Sequence, residues 1–344
     1  MLKLESYFKE AIKQDASDLH LVGGEIPMIR VEGVLKDLDD KPLSNKELIE
    51  EIHSLLTKEQ IARYNEEKEL DMSYAVGEIR FRVNVHQQIE NIGLSARVIP
   101  AEIPTPEDLR FEPVLTEMTK LLDGLVLITG PTGSGKTTTI ASMIEEINKT
   151  RKAHIITIED PIEFLFKDKK SLIEQREVGV DTNSFANALK HVLRQDPNVI
   201  FVGEMRDPET IATVITAAET GHLVFSTLHT PTAAEAIERI VDVFDGAKQK
   251  QILIQLSAVL RGVVAQQLLP AKDGGRMPAR EILINTPAVA NMIRNNEVGQ
   301  IKSAIQTSAK EGMETMENSV KKLVKEGWVE EEVAERRMGT NKKV

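Results

Sequence analysis

The chain contains no cysteine, so disulfides, cysteine-based zinc sites and thiol chemistry are excluded. Aromatic residues are only 4% of it, and aliphatic side chains must therefore supply most of the core. No apolar run approaches the ~20 residues that a bilayer-crossing helix needs. Met1–Glu10 mixes Lys and Glu with apolar residues and has no signal-peptide core. Excess positive charge is also missing. The net charge is −11, which disfavours direct nucleic-acid contact as the main role. A cytoplasmic chain without a transmembrane segment is the default reading.

What is present is length and pattern. At 344 residues the chain can form two domains of ordinary size. Apolar residues at helical spacing predict a helix over 2–14. Strands are expected over 17–22 and 27–31, with Gly23-Gly24 breaking the first and Glu32-Gly33 turning after the second. Helices over 45–56 and 58–67 follow, the former with a capping box of Ser44 and Glu47. Strands over 70–76, 79–89 and 93–99 close an α+β domain. Prolines 100, 104, 106 and 113, with no apolar periodicity around them, read as a linker. The boundaries are thus 1–100 for the first domain, 101–113 for a Pro-rich hinge and 114–344 for the second domain. In that second domain, strands over 125–129, 154–158, 198–202 and 222–227 alternate with helices near 184–194, 208–219, 232–243 and 248–260. That alternation predicts a mainly parallel sheet covered by helices, an α/β fold. Strands over 262–269 and 280–284 follow, and the chain is helical and charged from about 286 to its end.

The strongest motif is Gly130-Pro131-Thr132-Gly133-Ser134-Gly135-Lys136-Thr137, between the apolar run Leu125–Thr129 and a helix expected over Thr138–Asn148. It matches G-x-x-x-x-G-K-[ST]. Gly130, Gly133 and Gly135 permit the close backbone approach that lets loop amides converge on phosphate oxygens. Lys136 reaches the terminal phosphates and the Thr137 hydroxyl ligates Mg²⁺ in this pattern, while Thr138 continues the loop into the helix. ATP and Mg²⁺ are the ligands that the pattern predicts. Hydrolysis also needs carboxylates. Glu159, Asp160 and Glu163 follow one strand end, and Gly203-Glu204 follows another with a Walker-B-like form. Both fall at strand ends, where open α/β sheets bind ligands. His229 lies just past a third strand end, where it could serve structure or sense a γ-phosphate. Arg80 and Arg82 share one face of a strand, and Arg97 lies on the next. Pattern alone favours a solvated sheet face for them.

The P-loop Gly130–Thr137, the acidic box Ile158–Glu163, Val202–Asp207 and the histidine box Gly221–Thr230 together resemble the secretion ATPases of type II secretion and type IV pili. The resemblance covers nearly the whole chain. Ala16–Leu21 with Pro27–Arg30 is similar to the pilus-retraction branch. The extension and secretion branches usually carry an additional N-terminal domain and a tetracysteine zinc insertion. This chain starts at the first domain and has no cysteine, as expected of the retraction branch. Ala288–Asn295 resembles that branch's AIRNLRE-type segment, with Arg294 matching and Ala290 and Asn295 departing.

The resemblance implies a PAS-like N-terminal domain and a RecA-like P-loop ATPase domain. It implies a homohexameric motor at the inner face of the cytoplasmic membrane, acting on an inner-membrane pilus platform protein and driving twitching motility. It also implies Glu163 as general base, Glu204 as the magnesium-associated carboxylate, and Arg82 and Arg97 as phosphate-facing arginines. Pilus assembly or secretion by the same kind of motor, and nucleic-acid translocation, are the alternatives.

Overall fold

Period-2 alternation decides the first sheet. In the computed structural model, which describes residues 3–77, 79–99 and 102–338, β1 (Asp18–Val22), β2 (Met28–Val31), β3 (Val34–Asp37), β4 (Glu69–Val76), β5 (Ile79–Gln88) and β6 (Asn91–Ile99) form one antiparallel sheet in the order β3-β2-β1-β6-β5-β4. Phe81, Val83 and Val85 of β5 point into the core, while Arg80, Arg82 and Asn84 take the other face. The buried face packs against α1 (Lys3–Lys13), α2 (Asn45–Leu55) and α3 (Lys58–Glu67), through Leu4, Phe8, Leu48, Ile52 and Tyr64. Phe8 meets Phe81 edge-on, with ring centroids 4.7 Å apart.

Two local expectations needed correction. The Ser44 side chain makes no cap hydrogen bond. The capping box lies one helix later, where Thr57 accepts from the Gln60 amide and the Gln60 side chain accepts from the Thr57 amide. Strand β3 was not expected, because all four of its residues are exposed and it carries no core signal. Leu2, Pro100 and Asn341–Val344, for which a helix start, a hinge and a frayed end were expected, lie outside the described residues.

A second unit comprises Ile103–Asp160 with Phe166–Val344, and the first comprises Met1–Glu102 with Pro161–Leu165. In the second, α4 (Pro113–Met118) precedes β7 (Gly124–Thr129), α5 (Lys136–Thr150), β8 (His154–Glu159), β9 (Leu172–Glu177), α6 (Phe185–Val192), β10 (Val199–Val202), α7 (Pro208–Glu219), β11 (Leu223–Leu228), α8 (Ala233–Asp242), α9 (Gly246–Val259), β12 (Leu260–Pro270) and β13 (Arg276–Ile284). The sheet order is β13-β12-β7-β11-β10-β8-β9. Every pairing is parallel except β12 with β13.

All six residues of β7 are buried, as befits a central strand covered on both sides. Leu125 and Leu127 join one core with α6 to α9, and with α10 (Pro287–Arg294) and α11 (Ile301–Thr307). Val126 and Ile128 join the opposite core, under α4 and α5. Each fully buried Leu or Ile here contributes about 1.5–3 kcal/mol. A smaller cluster packs α12 (Met316–Lys325) and α13 (Glu331–Met338) against Leu269 and Ala279. The edge strand β9 was not expected, and only Glu177 in it is buried. Among the described residues, no helix is long and apolar enough to cross a membrane.

Candidate nucleotide site

Parallel pairing carries β7, β8, β10 and β11 to one sheet edge. Their C-terminal ends place the loop after Thr129, Glu159, Gly203-Glu204 and His229 on that edge, where ligands bind in open α/β sheets. Thr129 and Leu228 are register partners. The Thr129 hydroxyl lies 2.6 Å from Thr230 O and 2.7 Å from Thr230 Oγ1, which pins the histidine box to the end of the phosphate-loop strand.

The loop residues Gly130–Thr137 turn directly into α5, so their amides stand at the positive end of a 15-residue helix. Gly130 has φ +142°, and an added Cβ would lie 2.2 Å from Gln266 O. Lys136 is buried and its ammonium donates to Gly130 O at 2.8 Å and Pro131 O at 3.1 Å. The Ser134 hydroxyl is buried without a hydrogen-bond partner among the described residues. A buried orphan hydroxyl within a curl of helix-terminal amides fits a phosphate group. Beside the loop, a cavity of about 560 Å³ is lined by Thr132, Gly133, Leu268, Pro270, Arg276 and Arg336, among others.

Glu204 and His229 come together, with His229 Nε2 3.3 Å from Glu204 Oε2. The other Glu204 oxygen pairs with Arg206. Both Glu204 oxygens are thus held by partners at the strand edge. No cluster of three or more His, Cys, Asp or Glu able to hold a metal occurs among the described residues. A hard cation bound through Thr137, Glu204 and phosphate oxygens needs no such cluster. Glu159, by contrast, is buried and accepts from Thr157 Oγ1 at 2.7 Å and Gln175 Nε2 at 3.2 Å, which marks it as structural. His222 is held by the Ala217 carbonyl at 2.9 Å, at the C-terminal end of α7.

Glu163 belongs to the first unit with Arg82, whose Nη1 lies 3.7 Å from Glu163 Oε1. Arg82 and Arg97 are cross-strand partners on one face. Arg97 donates from Nε to Asp18 Oδ1 at 2.9 Å. Burial works to raise the Asp18 pKa, but hydrogen bonds from Ser17 and Arg97 outweigh it and hold the carboxyl below its usual value. Arg80 donates to Ser73 Oγ at 2.6 Å.

The sequence reading missed Gln266 and Arg280. Gln266 Nε2 donates to Ser134 O at 2.7 Å, inside the phosphate loop. Its Oε1 accepts from Thr139 Oγ1 and from Arg280 Nε. The one signal available was the polar pair Gln266-Gln267 between the apolar runs Val263–Ala265 and Leu268-Leu269.

A sequence model of type II/IV secretion system proteins matches residues 2–336. The chain belongs to that family. It is 47% identical over 323 residues to the type IV pilus retraction ATPase PilT of Pseudomonas aeruginosa, a match covering 94% of each chain. It is also 47% identical over 313 residues to the twitching motility protein of Neisseria gonorrhoeae, covering 90% of this chain and 84% of that protein. A crystal structure of the pilus retraction motor PilT with bound ADP is similar with a TM-score of 0.88 and 46% identity, covering 97% of this chain and 96% of that one. The fold is therefore the mixed α/β fold of these ATPases, and the close relatives act in twitching motility.

Proposed function

We propose that the chain is an Mg²⁺-dependent ATPase motor, working as a homohexamer that drives type IV pilus retraction through an inner-membrane platform protein. The observation that supports the reading is that the loop Gly130–Thr137, Glu204 and His229 each follow the C-terminal end of one of three neighbouring parallel strands. In this reading the first unit is the PAS-like domain, the second is RecA-like, and the Pro-rich linker 101–113 joins them in sequence. The loop amides from Gly130 to Thr138 hold the phosphates, with Pro131, Thr132 and Ser134 shaping the curl. Lys136 exchanges its loop carbonyls for phosphate oxygens, which it binds more strongly as charge-assisted partners. Thr137 and Glu204 hold Mg²⁺, which neutralises phosphate charge when bound. Glu163 takes the proton of the attacking water. Arg82 and Arg97 stabilise the charge that develops on the transferring phosphoryl group. His229 fixes the orientation of Glu204.

Phosphate release by the purified chain with ATP and Mg²⁺ tests the assignment. Wild type turns over and Lys136→Ala does not. Turnover by Lys136→Ala at the wild-type rate would remove the phosphate loop from the reaction. The direction of the motor is read in cells lacking the chain. Long, non-retracting pili support retraction, and bald cells support assembly.

A further inference from the structure

The side chain of Arg280 is 1% exposed, and every one of its bonds is made inside the second unit. Nε donates to Gln266 Oε1 at 2.8 Å, across the register pair that these two residues form between β12 and β13. Nη2 donates to Leu109 O at 2.9 Å. Nη1 donates to Arg110 O at 3.2 Å and Glu112 Oε2 at 3.0 Å. Its guanidinium also stands over the Phe111 ring, 5.4 Å from the centroid.

The stretch it holds is the Pro-rich segment before α4. That segment is folded there, with Leu109, Arg110 and Phe111 amides donating to Thr105, Glu107 and Pro106 carbonyls. At its other end the same guanidinium reaches the phosphate loop through one residue. Gln266 bonds Ser134 O and Thr139 Oγ1, and its backbone carbonyl abuts Gly130. Three contacts with the loop and its helix thus converge on one glutamine, and three carbonyl or carboxylate contacts with segment 109–112 converge on one arginine. Buried polar chains of this kind have few alternative arrangements, because any displaced member loses a partner in a medium without water.

We propose that Gln266 is a positioning residue for the phosphate loop and that Arg280 links it to Leu109–Glu112, so that nucleotide binding and the order of this segment are energetically coupled. The inference rests on the nucleotide-binding reading above. Gln266→Glu cuts the relay at one joint. The carboxylate still accepts from Thr139 and Arg280, but faces the Ser134 carbonyl with no donor. Arg280→Lys cuts the other joint while keeping the charge.

Hydrogen exchange on the full-length protein, with and without Mg-ADP at saturation, tests this. In wild type, Mg-ADP slows exchange of the Leu109, Arg110 and Phe111 amides several-fold. In Gln266→Glu, ADP binds about tenfold more weakly, the loss expected of one buried hydrogen bond. At saturation the slowing at 109–111 is gone. Arg280→Lys shows the same loss of coupling and serves if Gln266→Glu does not fold. Equal slowing in wild type and both variants overturns the relay, as does wild type that binds Mg-ADP with no change at 109–111. Wild type that fails to bind Mg-ADP overturns the nucleotide reading and the relay with it.

Discussion

Gly130 and Gly133 stand three residues apart in one loop, yet the structure assigns their replacement very different costs. Gly133 has φ +76°, and a Cβ there would meet nothing within 4 Å. Gly133→Ala therefore carries only the left-handed backbone penalty, about 1–2 kcal/mol. Gly130 has φ +142°, a region that only glycine occupies readily, at a cost of roughly 1–3 kcal/mol for any other residue. Its Cβ would also lie 2.2 Å from Gln266 O and 2.8 Å from Ser134 Oγ. The first of these is backbone of an interior strand and cannot swing aside as a flexible side chain can. Together the two effects place Gly130→Ala at about 4 kcal/mol, a loss that only overpacked or strained sites reach. Trp328 is the chain's one tryptophan and lies in the second unit, under the Arg110 guanidinium at 3.9 Å. Urea unfolding followed by its fluorescence reports this unit directly. Losses for the two variants that agree within about 1 kcal/mol would refute the steric reasoning.

Other substitutions test other parts of the same architecture. Burial raises the Glu281 pKa, against the hydrogen bond it accepts from the Ala233 amide. A raised folded value means that the folded chain keeps a proton the unfolded chain has released. Stability then falls as pH rises from the ordinary glutamate range, about 4.3, through the raised value. Glu281→Gln should flatten that slope in a series of unfolding curves, and unchanged slopes would discard the assignment. Asp207 caps α7 by accepting from the Thr210 amide at 2.9 Å and the Thr210 hydroxyl at 2.6 Å. Asp207→Ala should cost about 1 kcal/mol in urea unfolding, and a neutral result would remove the cap from the account. Arg280→Met leaves the Glu112 carboxylate, 14% exposed, without its cation, at about 3–5 kcal/mol. Adding Glu112→Gln should recover part of that loss, and strictly additive losses would show that the pair does not interact.

Elements with a strong period were legible before the fold was known. The apolar run Leu125–Thr129 marked a buried central strand and the helix after it, and Arg80–Val85 alternated clearly enough to fix which face is buried. Strands β3 and β9 escaped because they are exposed edges, whose sequence answers to hydrogen bonding with one neighbour and to little else. Ser44 and Glu47 had the spacing of a capping box but not the geometry, which Thr57 and Gln60 have instead. The motif residues could be named one by one, but their grouping could not. That Glu204 meets His229, and that Glu163 meets Arg82, follows from tertiary placement over 25 residues in the first case and across strand β5 and a distant loop in the second. Gln266 and Arg280 were the hardest to see. Their partners are up to 171 residues away in sequence, and neither residue belongs to a short motif.

The central claim is that this site hydrolyses ATP with Glu163 as the base. The most direct measurement is steady-state ATP hydrolysis by purified wild type and Glu163→Gln, with Mg-ADP binding measured on both. The account predicts that Glu163→Gln binds Mg-ADP with near wild-type affinity and has lost turnover by a factor of about 10²–10⁴, as expected when a general base is removed. Hydrolysis by Glu163→Gln at the wild-type rate would contradict it.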